Sequence, residues 1–128
     1  MITKSSFSKF KHQAKRRGKT VHLTFEQFHK IKISDCHYCK IEYYLYADYC
    51  KKLGFKIPYM SIDRMNNLEG YTVENSVPCC FICNRIKGNI FSAEEMKEIG
   101  EKFVKPKFKL VEQEVWEQYL ENIEYEPA

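Results

Sequence analysis

The sequence predicts a small α+β fold in which several short helices surround one β-hairpin. Two short extended segments, "YMSID" and "ENSVPCC", are separated by the polar loop "RMNNLEGYT". Helix-start signals precede the segments that begin at Phe25 and Ala93. Two Cys-x-x-Cys pairs lie before and after the first extended segment. A chain of 128 residues has the length of one domain with a modest core.

The N-terminal segment is predicted to be a basic arm over residues 1–20, flexible or helical, with Gly18 ending any helix. Residues 1–40 contain ten Lys/Arg against two Asp/Glu, whereas residues 92–128 contain five against ten. An anionic partner is expected for the basic end, and phosphate backbones are the commonest. The alternative is a solvated arm without a partner.

Helix-capping patterns predict two helices along the first half of the chain. Thr24 and Gln27 have the spacing of a capping box and start a helix over residues 25–32. A second helix of about ten residues is expected within residues 41–58, ending at Gly54.

Three further helices are predicted after the hairpin. "FICNRIK" forms a short helix up to Gly88. Ser92 and Glu95 repeat the capping box for the next helix, which "KPK" is expected to end. The last segment, residues 105–128, is predicted to be an acidic helix whose apolar stripe packs on the domain or binds a protein partner.

Four of the six cysteines have the spacing of zinc ligands, since two thiolates from one turn can bind one ion. The pairs are Cys36 with Cys39 and Cys80 with Cys83. Four thiolates form a closed tetrahedral site, which indicates a structural ion. Cys79 is a less favoured ligand than Cys80, because three residues instead of two would then separate it from Cys83. Cys50 is better explained as a buried unpaired thiol.

No long apolar run is present, and the N-terminus lacks the apolar middle of a signal peptide. The chain is therefore expected to be intracellular, cytoplasmic or nucleoid-associated, without a membrane partner, where clustered thiols bind metal more often than they form disulfides. Its richness in Lys, Ile, Asn and Tyr is typical of an AT-rich genome and indicates a viral origin as one explanation.

A carboxylate lies between the two cysteine pairs, and a side-chain amide directly follows the second pair. Asp63 ends the first extended segment, and Asn84 directly follows the last cysteine of the second pair. One zinc ion shared by both pairs would bring Asp63 and Asn84 to the same gap. Their oxygens are hard ligands that suit Mg²⁺ or Mn²⁺. Asn75 precedes the second strand, where its side chain could brace the loop.

Taken in order, these elements resemble the HNH endonucleases, which are ββα-metal nucleases with a treble-clef core and two zinc knuckles. The resemblance is strongest to small phage-type members and covers about residues 12–97. It is carried by "CHYC", "SIDR", "GYTVEN", "CFICN" and the lysine at position 87. Residues 21–104 would form the nuclease domain.

The resemblance implies a role for each matching residue. The four paired cysteines would hold zinc, Asp63 and Asn84 would hold the catalytic ion, and Asn75 would orient the loop. Double-stranded DNA would be the substrate, with the basic arm along its backbone.

Arg64 departs from the family pattern, in which a histidine after the aspartate activates water. An arginine stays protonated and cannot be the general base, but it can bind a phosphate bidentately. A substitute base could be His37, the more distant His22 or His29, or a water activated by the metal ion.

Two functions therefore compete. One is a divalent-metal-dependent endonuclease that nicks or cuts DNA. The other is a zinc-stabilised binding or assembly module without catalysis, in which Arg64 forms a salt bridge to Asp63 or Glu69. A transcription-factor-like zinc finger fits poorly, because only Arg85 and Lys87 are basic in the helix after the second cysteine pair.

Overall fold

The structure is a computed structural model that describes residues 1–55 and 58–109. In this part the chain forms a two-stranded antiparallel sheet surrounded by helices, so the predicted α+β class is confirmed. The elements in chain order are α1 (Lys4–Arg16), α2 (Phe25–Lys32), α3 (Tyr43–Lys52), β1 (Ser61–Arg64), β2 (Ser76–Cys79), α4 (Phe81–Lys87), α5 (Ala93–Ile99) and a π-helical turn (Gly100–Val104).

Local capping determines where several helices begin. Thr24 accepts a hydrogen bond from the Gln27 amide, and the Gln27 side chain accepts one from the Thr24 amide, as the sequence predicts for α2. Ser92 and Glu95 form the same capping box at α5. A third box, between Thr3 and Ser6, starts α1 and was not anticipated.

The N-terminal segment is a helix that packs into the fold. Phe7 is buried on α1 and lies 4.9 Å from Phe28 of α2, centroid to centroid. Ala14, about two turns further along the same face of α1, is fully buried beside Leu23 and Tyr71. The apolar side of α1 is therefore part of the core, while its lysines remain exposed.

The hairpin places β1 beside β2, with Ser61 opposite Cys79 and Arg64 opposite Ser76. The connection between the strands returns to the N-terminal region, where the Tyr71 amide donates to the Thr20 carbonyl at 2.8 Å. Gly70 permits this approach, because a Cβ there would lie 2.8 Å from the Thr20 carbonyl oxygen. The loop of the hairpin is thus fixed to the segment that joins α1 and α2.

The prediction that "KPK" ends the helix after Ser92 is wrong. The helical conformation continues from α5 through the π-helical turn to residue 109, across Pro106. Proline lacks the amide N–H and crowds the carbonyl four residues earlier, and the wider π-helical turn before it relieves that crowding. The buried Phe108 therefore joins the core. The rest of the predicted C-terminal helix lies outside the described residues.

Gly100, at the start of the π-helical turn, packs against the backbone of the first cysteine pair. A Cβ at this position would lie 2.6 Å from the carbonyl carbon of Tyr38 and 3.0 Å from the amide nitrogen of Cys39. The helix can approach the cysteine turn this closely only with glycine.

None of the helices in the described part of the chain is long and apolar enough to cross a membrane.

Candidate active site

The four paired cysteines come together between the first cysteine turn and the start of α4. Their sulfur atoms all lie within 4.8 Å of one another, and all four residues are buried. The Cys39 and Cys80 sulfurs are 3.7 Å apart. Tetrahedral zinc with bonds of about 2.3 Å requires thiolates about 3.8 Å apart, so the cluster could hold a structural zinc ion.

Backbone geometry shapes this cluster from both sides. Lys40 has a φ of 66°, and the turn it completes lets its amide donate to the Cys36 carbonyl at 3.1 Å. Cys80 is the N-cap of α4 and accepts a hydrogen bond from the Cys83 amide at 3.4 Å. Amide donors of this kind stabilise the negative charge of thiolate ligands.

Cys79 is buried but lies outside the group of four. Its thiol donates to the Cys80 carbonyl at 3.5 Å instead. Cys50, on α3, is also buried away from the cluster, and burial raises the pKa of its thiol.

Asp63 is held by residues on both sides of the cysteine cluster. The Tyr38 hydroxyl, from the first cysteine turn, donates to Asp63 Oδ2 at 2.6 Å. Lys87 Nζ, from α4, lies 3.3 Å from Oδ2 and 3.4 Å from Oδ1. It also donates to the Arg64 carbonyl at 3.2 Å. The elements that meet at the cysteines therefore also fix the orientation of this carboxylate.

The groups around Asp63 are strongly desolvated. The Lys87 side chain is fully buried, and Asp63 is 8% exposed. Burial and the hydrogen bond to Asp63 raise the pKa of Tyr38 well above its ordinary value, so the phenol stays protonated as the donor.

Asp63 and Asn84 line the same cleft, which encloses about 420 Å³. Asn84 is exposed at the centre of α4, and its side chain makes no hydrogen bond among the described residues. Three cations, Arg17, Lys32 and Arg64, line the cleft as well. The cleft therefore contains one carboxylate and one amide oxygen beside three cationic side chains.

Sequence reasoning did not single out Arg17 or Lys32. Arg17 belongs to the basic run that ends α1, and its guanidinium donates to the Tyr71 hydroxyl at 3.3 Å. Lys32 ends α2, has no carboxylate partner among the described residues, and burial lowers the pKa of its ammonium. The basic charge of the N-terminal arm could have identified Arg17 as a cleft residue. Nothing in the sequence distinguishes Lys32 from the neighbouring lysines.

Arg64 does not form a salt bridge to Asp63 or Glu69, the alternative considered for a domain without catalysis. Its Nη1 donates at 2.9 Å to the backbone carbonyls of Asn67 and Glu69, and its guanidinium lies 5.4 Å from the centre of the Tyr71 ring. The charge partner of Asp63 is Lys87 instead.

Asn75 lies at the base of the hairpin loop and is buried. Its Oδ1 accepts from the Asn66 amide at 2.8 Å, while its Nδ2 donates to the carbonyls of Asn66 and Gly70. Its side chain thus joins the two ends of the loop and does not line the cleft.

No histidine is among the described residues that line the cleft. His22 is exposed and His29 is on α2. His37 lies in the first cysteine turn, where burial and the nearby charges of Lys40 and Lys97 lower its pKa.

The chain is similar to a curated viral protein and to a restriction endonuclease of known structure. No protein-family model matches the chain. An uncharacterized protein of Acanthamoeba polyphaga mimivirus, R423, is 30% identical over 89 residues, which is 70% of this chain and 14% of the viral protein. The chain thus spans about one seventh of the length of that curated relative.

A structural relative is the rare-cutting HNH restriction endonuclease PacI, which exhibits a mechanism of DNA perturbation. The two structures superpose with a TM-score of 0.66 at 31% sequence identity, covering 78% of this chain and 74% of PacI. This similarity and the four-cysteine cluster agree with the resemblance seen in the motifs. The chain belongs to the HNH endonuclease family.

Proposed function

We propose that the protein is a divalent-metal-dependent endonuclease that hydrolyses phosphodiester bonds of double-stranded DNA. The observation that carries this proposal is the cleft, which joins Asp63 and Asn84 to three cations. Hydrolysis of a phosphodiester needs both kinds of group. Oxygen ligands bind the catalytic metal ion, and cationic side chains bind the anionic substrate.

Two observations support DNA as the substrate: PacI is a restriction endonuclease, and the N-terminal part of the chain is basic. The first 40 residues hold ten Lys/Arg against two Asp/Glu, and the α1 lysines are exposed. Phosphate contacts of this type supply most non-specific affinity for a duplex. A virus-encoded origin is supported by the mimivirus relative.

Asp63 and Asn84 would hold Mg²⁺ or Mn²⁺. Asp63 Oδ1 has only the 3.4 Å contact with Lys87 among the described residues, so a lone pair remains for an ion. The Asn84 amide oxygen is free of other described bonds. When bound, the ion would polarise the phosphate and lower the pKa of its water.

The side chains of the cleft would bind and orient the scissile phosphate. Arg64 uses Nη1 for the loop carbonyls, which leaves Nη2 and Nε for a phosphate oxygen. Lys32 is a half-buried cation without a carboxylate partner in the described part of the chain, so an anion in the cleft would relieve its desolvation. Arg64 cannot accept a proton, and no histidine is among the described residues that line the cleft, so Asp63 is the one carboxylate there and would already be a metal ligand.

The buried Asp63–Lys87 pair favours the second candidate, a zinc-stabilised nucleic-acid-binding module without catalysis. In that case Asp63 is a structural residue whose charge is already neutralised by Lys87 at 3.3 Å. The two candidates differ in whether the cleft holds a divalent ion.

A plasmid-nicking assay with Asn84→Ala separates the candidates. Asn84 is exposed and makes no described side-chain bond, so the variant should fold as the wild type does. Supercoiled plasmid is incubated with Mg²⁺, Mn²⁺ or no added divalent ion. Loss of an outer-shell group alone reduces metal-dependent activity about 10- to 100-fold, so loss of a direct ligand should reduce nicking by at least about 100-fold.

Glu74→Ala is the control, because Glu74 is an exposed polar residue outside the cleft. Asp63→Ala would be a poorer test, since it leaves the buried Lys87 without its partner and lowers stability as well as activity. Plasmid that stays supercoiled with wild-type protein and either metal, while a gel shift still detects binding, would support the non-catalytic module instead.

A further inference from the structure

The loop between β1 and β2 presents one fully exposed apolar side chain. Leu68 is 95% exposed at the centre of residues 66–70, which we call the tip loop. Single exposed leucines are common on protein surfaces. This one is unusual because the backbone around it is tightly held.

Hydrogen bonds fix the tip loop on both sides of Leu68. Arg64 Nη1 bridges the carbonyls of Asn67 and Glu69, the two neighbours of Leu68, at 2.9 Å each. The Leu68 amide donates to Asn66 Oδ1 at 3.0 Å. Few backbone N–H and C=O groups of the tip loop therefore remain without a hydrogen-bond partner in the described part of the chain.

The base of the tip loop is fixed as well. Asn75 bonds the carbonyls of Asn66 and Gly70 at 3.0 and 2.9 Å. Gly70 in turn lies against the backbone of Thr20, close enough to exclude any Cβ. The tip loop is therefore attached to both the hairpin and the N-terminal part of the fold.

The tip loop is next to the cationic cleft. Asn67 lines the cleft beside Arg64, so Leu68 follows a cleft residue directly in the chain. A rigid apolar side chain next to phosphate-binding cations matches the apolar wedges by which some proteins enter a stacked duplex. Rigidity favours this use, because little conformational entropy remains to be lost on insertion.

We propose that Leu68 is an apolar wedge that inserts between base pairs of the duplex whose backbone lies in the cleft. Arg64 is then a positioning residue, which holds the tip loop by its neighbouring carbonyls as well as facing the phosphate. This inference rests on the proposed function, since it requires duplex DNA in the cleft.

Insertion of a side chain into the base stack unwinds the duplex, and unwinding can be measured without knowing the recognition sequence. Closed circular plasmid is relaxed by a type IB topoisomerase, which needs no divalent ion, with saturating protein and no added metal. After the protein is removed, the linking number reports the unwinding. Wild-type protein should lower the linking number, and Leu68→Ala should leave it near that of free plasmid.

Binding is measured in parallel by gel shift. Because insertion buries the leucine side chain only in part, Leu68→Ala should bind about tenfold more weakly. Leu68→Met keeps an apolar side chain of similar volume and should restore both unwinding and affinity. Val73→Ala is the matched control, since Val73 is 51% exposed in the same connection but outside the tip loop.

The outcomes distinguish the two proposals. Wild-type protein that binds plasmid without changing its linking number overturns the wedge but not the endonuclease. The same conclusion follows if Leu68→Ala unwinds as the wild type does, and Leu68 would then suit a protein partner. Wild-type protein that binds no duplex at all overturns both.

Discussion

Lys87→Met should destabilise the protein strongly, because it removes one partner of a buried ion pair. The lysine side chain is 0% exposed and that of Asp63 is 9% exposed. Breaking such a pair by removing one partner costs about 3–5 kcal/mol. Asp63 keeps the Tyr38 hydroxyl at 2.6 Å, a bond to a charged group worth about 1.5–3 kcal/mol, so the lower part of the range applies.

The lysine also donates to the Arg64 carbonyl at 3.2 Å, which adds about 1 kcal/mol when it is lost. The expected total is about 4 kcal/mol, a large share of the roughly 5–15 kcal/mol that stabilises a domain. Methionine retains most of the volume, so cavity formation contributes little.

The assay is urea unfolding of the zinc-loaded protein, followed by far-UV circular dichroism at fixed protein and zinc concentrations. Asp63→Asn and the double variant complete a double-mutant cycle. A neutral asparagine no longer needs a cation, so the two changes should couple by about 2 kcal/mol or more. A loss below about 1 kcal/mol for Lys87→Met, or additive effects in the cycle, would refute the view that this pair is a desolvated and mutually dependent unit.

Three further predictions concern the cysteine cluster, the helix contact and the cleft. Cys80→Ser should lose zinc, measured by atomic spectroscopy, while the adjacent and equally buried Cys79→Ser should retain it. Gly100→Ala should lower the melting temperature, because its Cβ would lie 2.6 Å from the Tyr38 carbonyl carbon and overpacking costs about 1–3 kcal/mol; an increase, usual for alanine in a helix, would contradict the contact. Lys32→Met should leave stability unchanged or raise it, weaken DNA binding, and reduce the slope of log affinity against log salt by about 1, measured by salt titration. An unchanged salt slope would mean that Lys32 does not contact phosphate.

The features predictable from the sequence are those that depend on a few neighbouring residues. The start of α2 follows from Thr24 and Gln27, whose capping bonds involve only the first helical turn. The cysteine cluster follows from ligand spacing, because thiolates three residues apart can bind one ion. Asp63 and Asn84 line one cleft because their neighbours in the chain meet at that cluster.

The features that sequence reasoning missed depend on contacts between distant segments. Lys32 reaches the cleft only because α2 packs beside β1. Arg64 donates to backbone carbonyls, and because every residue has one, the residue types in the sequence do not indicate these partners. Helix continuation across Pro106 depends on a π-helical turn that is not encoded by propensity alone.

The cysteine cluster also determines when the cleft can form during synthesis. Its two halves are separated by 40 residues between Cys39 and Cys80, and the hairpin that carries Asp63 lies within that interval. Closing such a loop is entropically unfavourable until a metal ion joins its ends. If the cluster holds zinc, the nascent chain would complete the cleft only after α4 has left the ribosome and the ion is bound. The supply of zinc would then limit how much competent protein a cell contains.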